Sequence, residues 1–147
     1  VDVRLLRQLD EAVSVLAKAR TVHIVGLRRS FPIASYLAYA FEKMKVPAVL
    51  HSAVGGLGNI SAISRDDALI AITFSPYSTE TLELAETARA KGVPVVAMSD
   101  SAVNPLRKSG ATLLTVTEID FGAFRSLSAT LCLAITLAVA VGTRKTA

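Results

Sequence analysis

Apolar positions along the chain alternate between two rhythms, one of about 3.6 residues and one of short unbroken runs. Leu5, Leu6, Leu9, Val13, Leu16 and Ala17 share one helical face and predict a first amphipathic helix. Residues 21–26 form a β-branched run closed by Gly26, predicting a buried strand. Pro32 then opens a second helix to residue 45, with Ile33, Leu37, Ala40, Phe41 and Met44 along one side. Residues 48–51 read as a short strand, 57–63 as a short helix, and 68–74, apolar but for Thr73, as a central strand. A third long helix follows over 78–91, with Leu82, Leu84, Ala85 and Ala88 inward and Gly92 just past its end. Strands at 93–98 and 112–116 flank turn residues Ser99, Asp100, Ser101, Asn104 and Pro105, and a final helix runs from about residue 122 to 141.

Strands alternating with helices in this way pair in parallel through right-handed crossovers. The expected architecture is a three-layer α/β/α sandwich around a five-stranded parallel sheet. No repeat, low-complexity tract or Pro/Gly-rich linker interrupts it, so residues 1–147 read as one domain. Ligands of such sheets sit at the carboxyl ends of the strands, where neighbouring strands send their helices to opposite faces.

Composition narrows the function classes. The chain has 147 residues, 52% of them hydrophobic, 19% charged and 5% aromatic, with no Trp. That is too apolar for a disordered chain, and the single Cys132 excludes a disulfide scaffold. Cys132 lies within Leu131-Cys132-Leu133 and reads as a buried thiol; no Cys/His spacing suggests a metal site, and no cofactor is implied. The composition suits a reducing cytoplasm. The net charge of +4 is dispersed, its densest spots being Arg28-Arg29, Arg107-Lys108 and Arg144-Lys145, which fits an anionic small ligand better than a nucleic-acid stripe. Residues 126–143 carry no charge and approach the length of a membrane span, but Ser126, Ser128, Thr130, Thr136, Gly142 and Thr143 mark them as a buried helix instead. Leu127, Leu131, Ile135 and Ala138 form one apolar face, and Leu133, Leu137 and Val141 another. A helix apolar nearly all round needs cover on both sides, which points to a homo-oligomer interface or to a wide contact with its own sheet.

Two loops stand out for chemistry. After the third strand comes Phe74-Ser75-Pro76-Tyr77-Ser78-Thr79-Glu80-Thr81, in which five of eight residues carry a hydroxyl. Hydroxyl donors at a helix N-terminus, with its free N–H groups and partial positive charge, make a phosphate cradle. Simple N-capping by Ser75 or Ser78 would need only one of them. After the first strand, Gly26-Leu27-Arg28-Arg29-Ser30 offers a tight turn, a hydroxyl near a second helix N-terminus, and two guanidinium groups suited to phosphate or carboxylate, or simply solvated. With one Gly it is no dinucleotide fingerprint, and with no Gly-Lys-Ser/Thr it is no P-loop.

These two loops resemble the sugar isomerase (SIS) domain, and Ser75-Pro76-Tyr77-Ser78 followed by Glu80-Thr81, with Phe124-Arg125-Ser126-Leu127, resembles the effector domain of RpiR-family transcriptional regulators. The resemblance covers nearly the whole chain. It implies an SIS-type fold of flavodoxin-like topology, a phosphosugar ligand, homodimers or tetramers, and a helix-turn-helix domain N-terminal to this one, through which alone DNA would be contacted. Carried over residue by residue, the phosphate-binding hydroxyls fall on Ser30, Ser75, Ser78 and Thr81, with Tyr77, Arg28, Arg29 and Glu118 beside them. The general SIS pattern has a second Gly where Arg28 stands and a Gly where Thr79 stands, and Pro76 is an insertion against it.

An isomerase would need a base beside the sugar carbonyl. Glu118 after the fifth strand, His51 after the second and Asp100 after the fourth are the placed candidates; Glu118 could equally serve the last helix's N-terminus, and His51 could be a hydrogen-bonded strand-end histidine. His23 lies within a strand and reads as structural, and Glu80 as a cap or a contact to sugar hydroxyls. The expectation is therefore a phosphosugar-sensing regulatory module, with a standalone aldose–ketose isomerase using Glu118 as the alternative.

Overall fold

A computed structural model describes residues 3–52, 62–101 and 105–146. Four helices, α1 (Val3–Lys18), α2 (Phe31–Lys43), α3 (Thr79–Ala90) and α4 (Ser128–Thr146), surround five strands, β1 (Val22–Gly26), β2 (Ala48–His51), β3 (Ala68–Ile72), β4 (Val95–Ser99) and β5 (Thr112–Thr115). Every strand pairing is parallel, in the order β2-β1-β3-β4-β5. β1, β3 and β4 are buried at every residue, which is why they read as unbroken apolar runs rather than alternating ones.

The two faces of the sheet are covered unequally. α1, α2 and α4 bury Leu16, Ile33, Leu37, Phe41, Leu137 and Val141 against Ile24, Ile70, Ile72 and Met98. On the opposite face α3 sets Leu84, Ala85 and Ala88 over Leu69, Ala71, Val95 and Ala97, and Leu106 from a short 3-10 turn completes that core. β1 and its neighbour β3 thus send their following helices, α2 and α3, to opposite layers. This is the switch point at which open α/β sheets leave a crevice.

Local chemistry sets the helix limits. Pro32 occupies the first turn of α2, where a missing N–H costs nothing. The Ser78 hydroxyl caps α3 by accepting from Thr81 N at 3.2 Å, and Gly92, at φ +81°, supplies the left-handed residue that ends it.

Three sequence expectations change. The final helix begins at Ser128, not near residue 122, because residues 119–126 fold back on themselves. Asp120 bridges antiparallel to Arg125, Phe121 N donates to Phe124 O, and Ser126 N donates to Ile119 O. Cys132 is exposed rather than buried. On α4 the inner face includes Leu133, Ala134, Leu137, Ala138 and Val141, so the expected face of Leu127, Leu131, Ile135 and Ala138 is split: Ala138 is buried, while Ile135 lies outside, 42% exposed, with Val139 at 50%. Among the described residues α4 alone is long and apolar enough to cross a membrane; it lies instead against α1 and α2. The helix expected at 57–63 falls mostly outside the described residues.

Candidate functional site

The carboxyl ends of β1, β3, β4 and β5 frame a cleft of about 530 Å³. Its wall includes Arg29 from the β1 loop, Phe74 from the β3 loop, Asp100 after β4, and Glu118, Phe124 and Arg125 from the segment before α4.

The β1 loop is shaped by a close approach. A Cβ on Gly26 would lie 2.9 Å from Ser30 O and 3.0 Å from the Ala34 Cβ, so only glycine lets α2 start so near the strand end. Arg28 has φ 55°, in the left-handed region that costs an L-residue about 1–2 kcal/mol. The loop therefore keeps a glycine-type backbone at the position where the SIS pattern has glycine. Arg28 points outward and pairs with Glu80 at 3.1 Å, both groups well exposed. Arg29 turns inward, donates to the Ser75 carbonyl, and lies 5.8 Å over the Phe74 ring. Ser30 is buried at the start of α2, its N–H donating to Leu27 O at 3.0 Å.

The β3 loop is held from below and from the side. Thr73, the polar interruption of the third apolar run, is buried and accepts from Ser78 N at 2.9 Å. The Ser75–Pro76 peptide is cis. Ser75 N donates to Asp100 Oδ2 at 3.1 Å, and the Tyr77 hydroxyl donates to Asp100 Oδ1 at 3.3 Å. Thr81 is fully buried, and its hydroxyl has no hydrogen-bond partner among the described residues.

Asp100 is the hub of this cleft. Besides the β3 loop it accepts from Arg125 Nη1 at 3.1 Å. Burial alone would raise its pKa, but the Ser75 N–H, Arg125, its own N–H and Tyr77 outweigh that and hold the carboxyl below its usual range. Burial first, and Asp100 second, push the Tyr77 phenol above its ordinary value.

Glu118 also faces the cleft, yet both oxygens are engaged. Oε1 accepts from Ala129 N at 3.2 Å, and Oε2 from Thr130 N and the Thr130 hydroxyl, each at 2.7 Å. It caps α4 across the intervening hairpin.

His51 and His23 form a separate buried chain. Asp67 Oδ2 lies 3.0 Å from His23 Nε2, and His23 Nδ1 lies 2.9 Å from His51 Nε2. With Asp67 ionised and His23 neutral, these contacts fix both tautomers, leaving His51 Nε2–H as donor. Burial, and then the neighbouring His23, lower the His51 pKa. Asp67 is also lowered: burial opposes this, but the Ser64 N–H, His23 and Arg20 prevail.

Of the residues singled out from the sequence, Arg29 and Glu118 line the cleft, and Ser75 and Tyr77 are tied to it through Asp100. Ser78 and Thr81 lie at the α3 N-terminus, Ser30 at the α2 N-terminus, and Arg28 outside. The sequence gives Thr73 no role, weighs Asp100 only as a base, and shows Arg125 only as part of a resembling motif. Thr73 carries a visible signal, a lone hydroxyl in an apolar strand; Asp100 and Arg125 are related only through the fold.

Residues 15–140 match the SIS domain family. The chain belongs to that family. This SIS domain is 30% identical over 94 residues to the uncharacterised HTH-type transcriptional regulator YbbH of Bacillus subtilis (strain 168), covering 63% of this chain and 33% of that protein. The chain thus spans about a third of that relative's length. Its fold is similar to the sugar isomerase domain of an RpiR transcription factor from Sphaerobacter thermophilus, with a TM-score of 0.85, 18% identity, and 95% of this chain and 79% of the other covered. It is also similar to the Vibrio vulnificus NanR protein complexed with ManNAc-6P, with a TM-score of 0.80, 22% identity, and 92% and 53% covered. A third likeness is to the C-terminal domain of glucosamine-fructose-6-phosphate aminotransferase from Francisella tularensis, with a TM-score of 0.75, 15% identity, and 97% and 41% covered.

Proposed function

We propose that this SIS domain is the phosphosugar-sensing effector module of an RpiR-like transcriptional regulator of the cytoplasm. The observation that carries this reading is the β3 loop: hydroxyl-rich, placed at the α3 N-terminus, and tied through Asp100 to the wall of a cleft that holds the guanidinium groups of Arg29 and Arg125. Those are the donors a phosphate monoester needs. The sugar phosphate bound to NanR, and the one in the aminotransferase's name, support the ligand class. The HTH-type relative supports the regulatory setting. DNA contact is assigned to a helix-turn-helix region of the parent protein.

The outward stripe of Cys132, Ile135 and Val139 on α4 supports self-association as a dimer or tetramer, through which ligand binding would alter the spacing of DNA-binding regions. Such coupling requires the ligand to prefer one of two arrangements. The non-enzymatic reading is supported by Glu118, whose three donors leave it a cap rather than a free base.

A thermal-shift panel of sugar phosphates tests the reading, since a ligand that binds only the folded state raises its melting temperature. At least one should do so, and the gain should shrink when Ser75 and Ser78 are both alanine. Turnover of any phosphosugar, abolished by Glu118→Gln, would replace the sensor with an isomerase.

A further inference from the structure

We infer that the Asp100 carboxylate is a built-in competitor for the anion position of the cleft, so that an anionic ligand enters by exchanging with it. The inference rests on the proposal that the cleft takes an anion. Three groups capable of holding a ligand oxyanion converge on this one side chain. They are the Ser75 N–H at 3.1 Å, the Arg125 guanidinium at 3.1 Å and the Tyr77 hydroxyl at 3.3 Å. They come from two segments, the β3 loop beside the end of β4 and the hairpin before α4, that are far apart in sequence. The Ser75 N–H and the Tyr77 hydroxyl each have one hydrogen to give, so a phosphate oxygen that takes either must displace Asp100, and the Arg125 Nη1 that pairs with Asp100 cannot serve both in full.

Charge sharpens the conflict. A phosphate on the β3 loop would lie beside a full negative charge, and like charges at that range oppose each other. When the ligand arrives, Arg125 changes partner from Asp100 to the anion, and Ser75 N–H does the same. The exchange sets a threshold: a weakly charged or poorly placed ligand does not repay the loss of the Asp100 contacts, whereas a phosphate dianion held by the serine hydroxyls does. Asp100 thus acts as a residue that selects for charge rather than one that reads the sugar.

The test is titration of inorganic phosphate into the whole chain by calorimetry, comparing wild type with Asp100→Asn and Asp100→Ala. Asn keeps the shape should Ala unfold. The exchange predicts phosphate binding roughly tenfold tighter in both variants, the effect of releasing one charge-assisted competitor. The gain should shrink when Arg125→Gln is added, because the freed guanidinium is what the ligand acquires. Equal or weaker phosphate binding in both Asp100 variants, at any affinity including none, overturns the inference. A loss confined to sugar phosphates would instead make Asp100 a reader of sugar hydroxyls and likewise overturn it. Ser75→Ala with Ser78→Ala in the Asp100→Asn background separates this from the parent proposal. If the serines matter while Asp100 does not, only the exchange fails; if phosphate binds but the serines do not matter, the cradle is wrong and the Asp100 comparison still stands. Amide exchange at Ser75, measured without ligand, should accelerate in Asp100→Ala, which checks the contact itself.

Discussion

Glu118 accepts from both the backbone N–H and the hydroxyl of Thr130, twelve residues later in the chain, each at 2.7 Å. A carboxylate at a helix N-terminus stabilises the exposed N–H groups and the partial positive charge there. Replacing Glu118 by Gln should therefore lower stability by about 1–2 kcal/mol, the usual effect of losing a cap. Chemical denaturation measures it. Unchanged stability together with a lost catalytic activity would reverse the assignment.

Gly26→Ala forces a methyl group against the first turn of α2. Overpacking of this kind costs about 1–3 kcal/mol. Because the contact is with Ser30 O at 2.9 Å, the loop carrying Arg29 must move with it. The variant is expected to melt earlier and to bind sugar phosphate more weakly, by thermal shift and calorimetry respectively.

Arg28→Gly works in the opposite direction. It removes left-handed strain worth about 1–2 kcal/mol, partly offset by the greater freedom of glycine in the unfolded chain. The Arg28–Glu80 pair is exposed and contributes little. Stability should stay level or rise slightly, with ligand affinity kept. A fall of more than about 1 kcal/mol would show that the pair, not the backbone, governs the loop.

Acid should weaken the fold in two stages. The folded pKa of His51 lies below its unfolded value, so the native state binds fewer protons than the unfolded chain in that interval. Stability is full above about pH 6.5 and falls as the pH drops below it. Asp67 and Asp100 are also depressed, and their contribution is lost at lower pH, as acid approaches their folded pKa values. His51→Gln, which keeps a donor for His23 but does not titrate, should flatten the first stage in urea melts across this range.

Val139→Glu places a charge in the exposed stripe of α4, 50% accessible, without touching the core. Light scattering at micromolar concentration should show smaller particles than wild type. Identical masses would remove α4 from any assembly.

The sheet and the long helices are legible in the sequence because burial on both faces leaves unbroken aliphatic runs, and because Ser78, Pro32 and Gly92 mark helix limits locally. The α4 start is not legible. The stretch from Gly122 to Leu127 continues the apolar composition of the helix, but the Asp120–Arg125 bridge that redirects it depends on pairing rather than periodicity. A helix apolar on every side also hides which face turns inward, so Cys132 reads as interior although it lies outside, and the pattern leaves open which of the two apolar faces meets the sheet. At the site, the hydroxyl loop and Arg29 are visible as motifs. The Asp100 hub and the Asp67–His23–His51 chain join residues 23 to 44 positions apart, and only the tertiary fold brings them together.

α3 and α4 lie in opposite layers, yet both begin at the same end of the sheet and face one cleft. The cleft is walled by the segments that lead into both helices, Phe74 before α3 and Glu118 and Leu127 before α4. An anion bound there would bear on both lead-in segments at once, like a rivet through the sandwich. In a fold whose two cores are otherwise separated by a rigid sheet, this end is where the layers can report to each other.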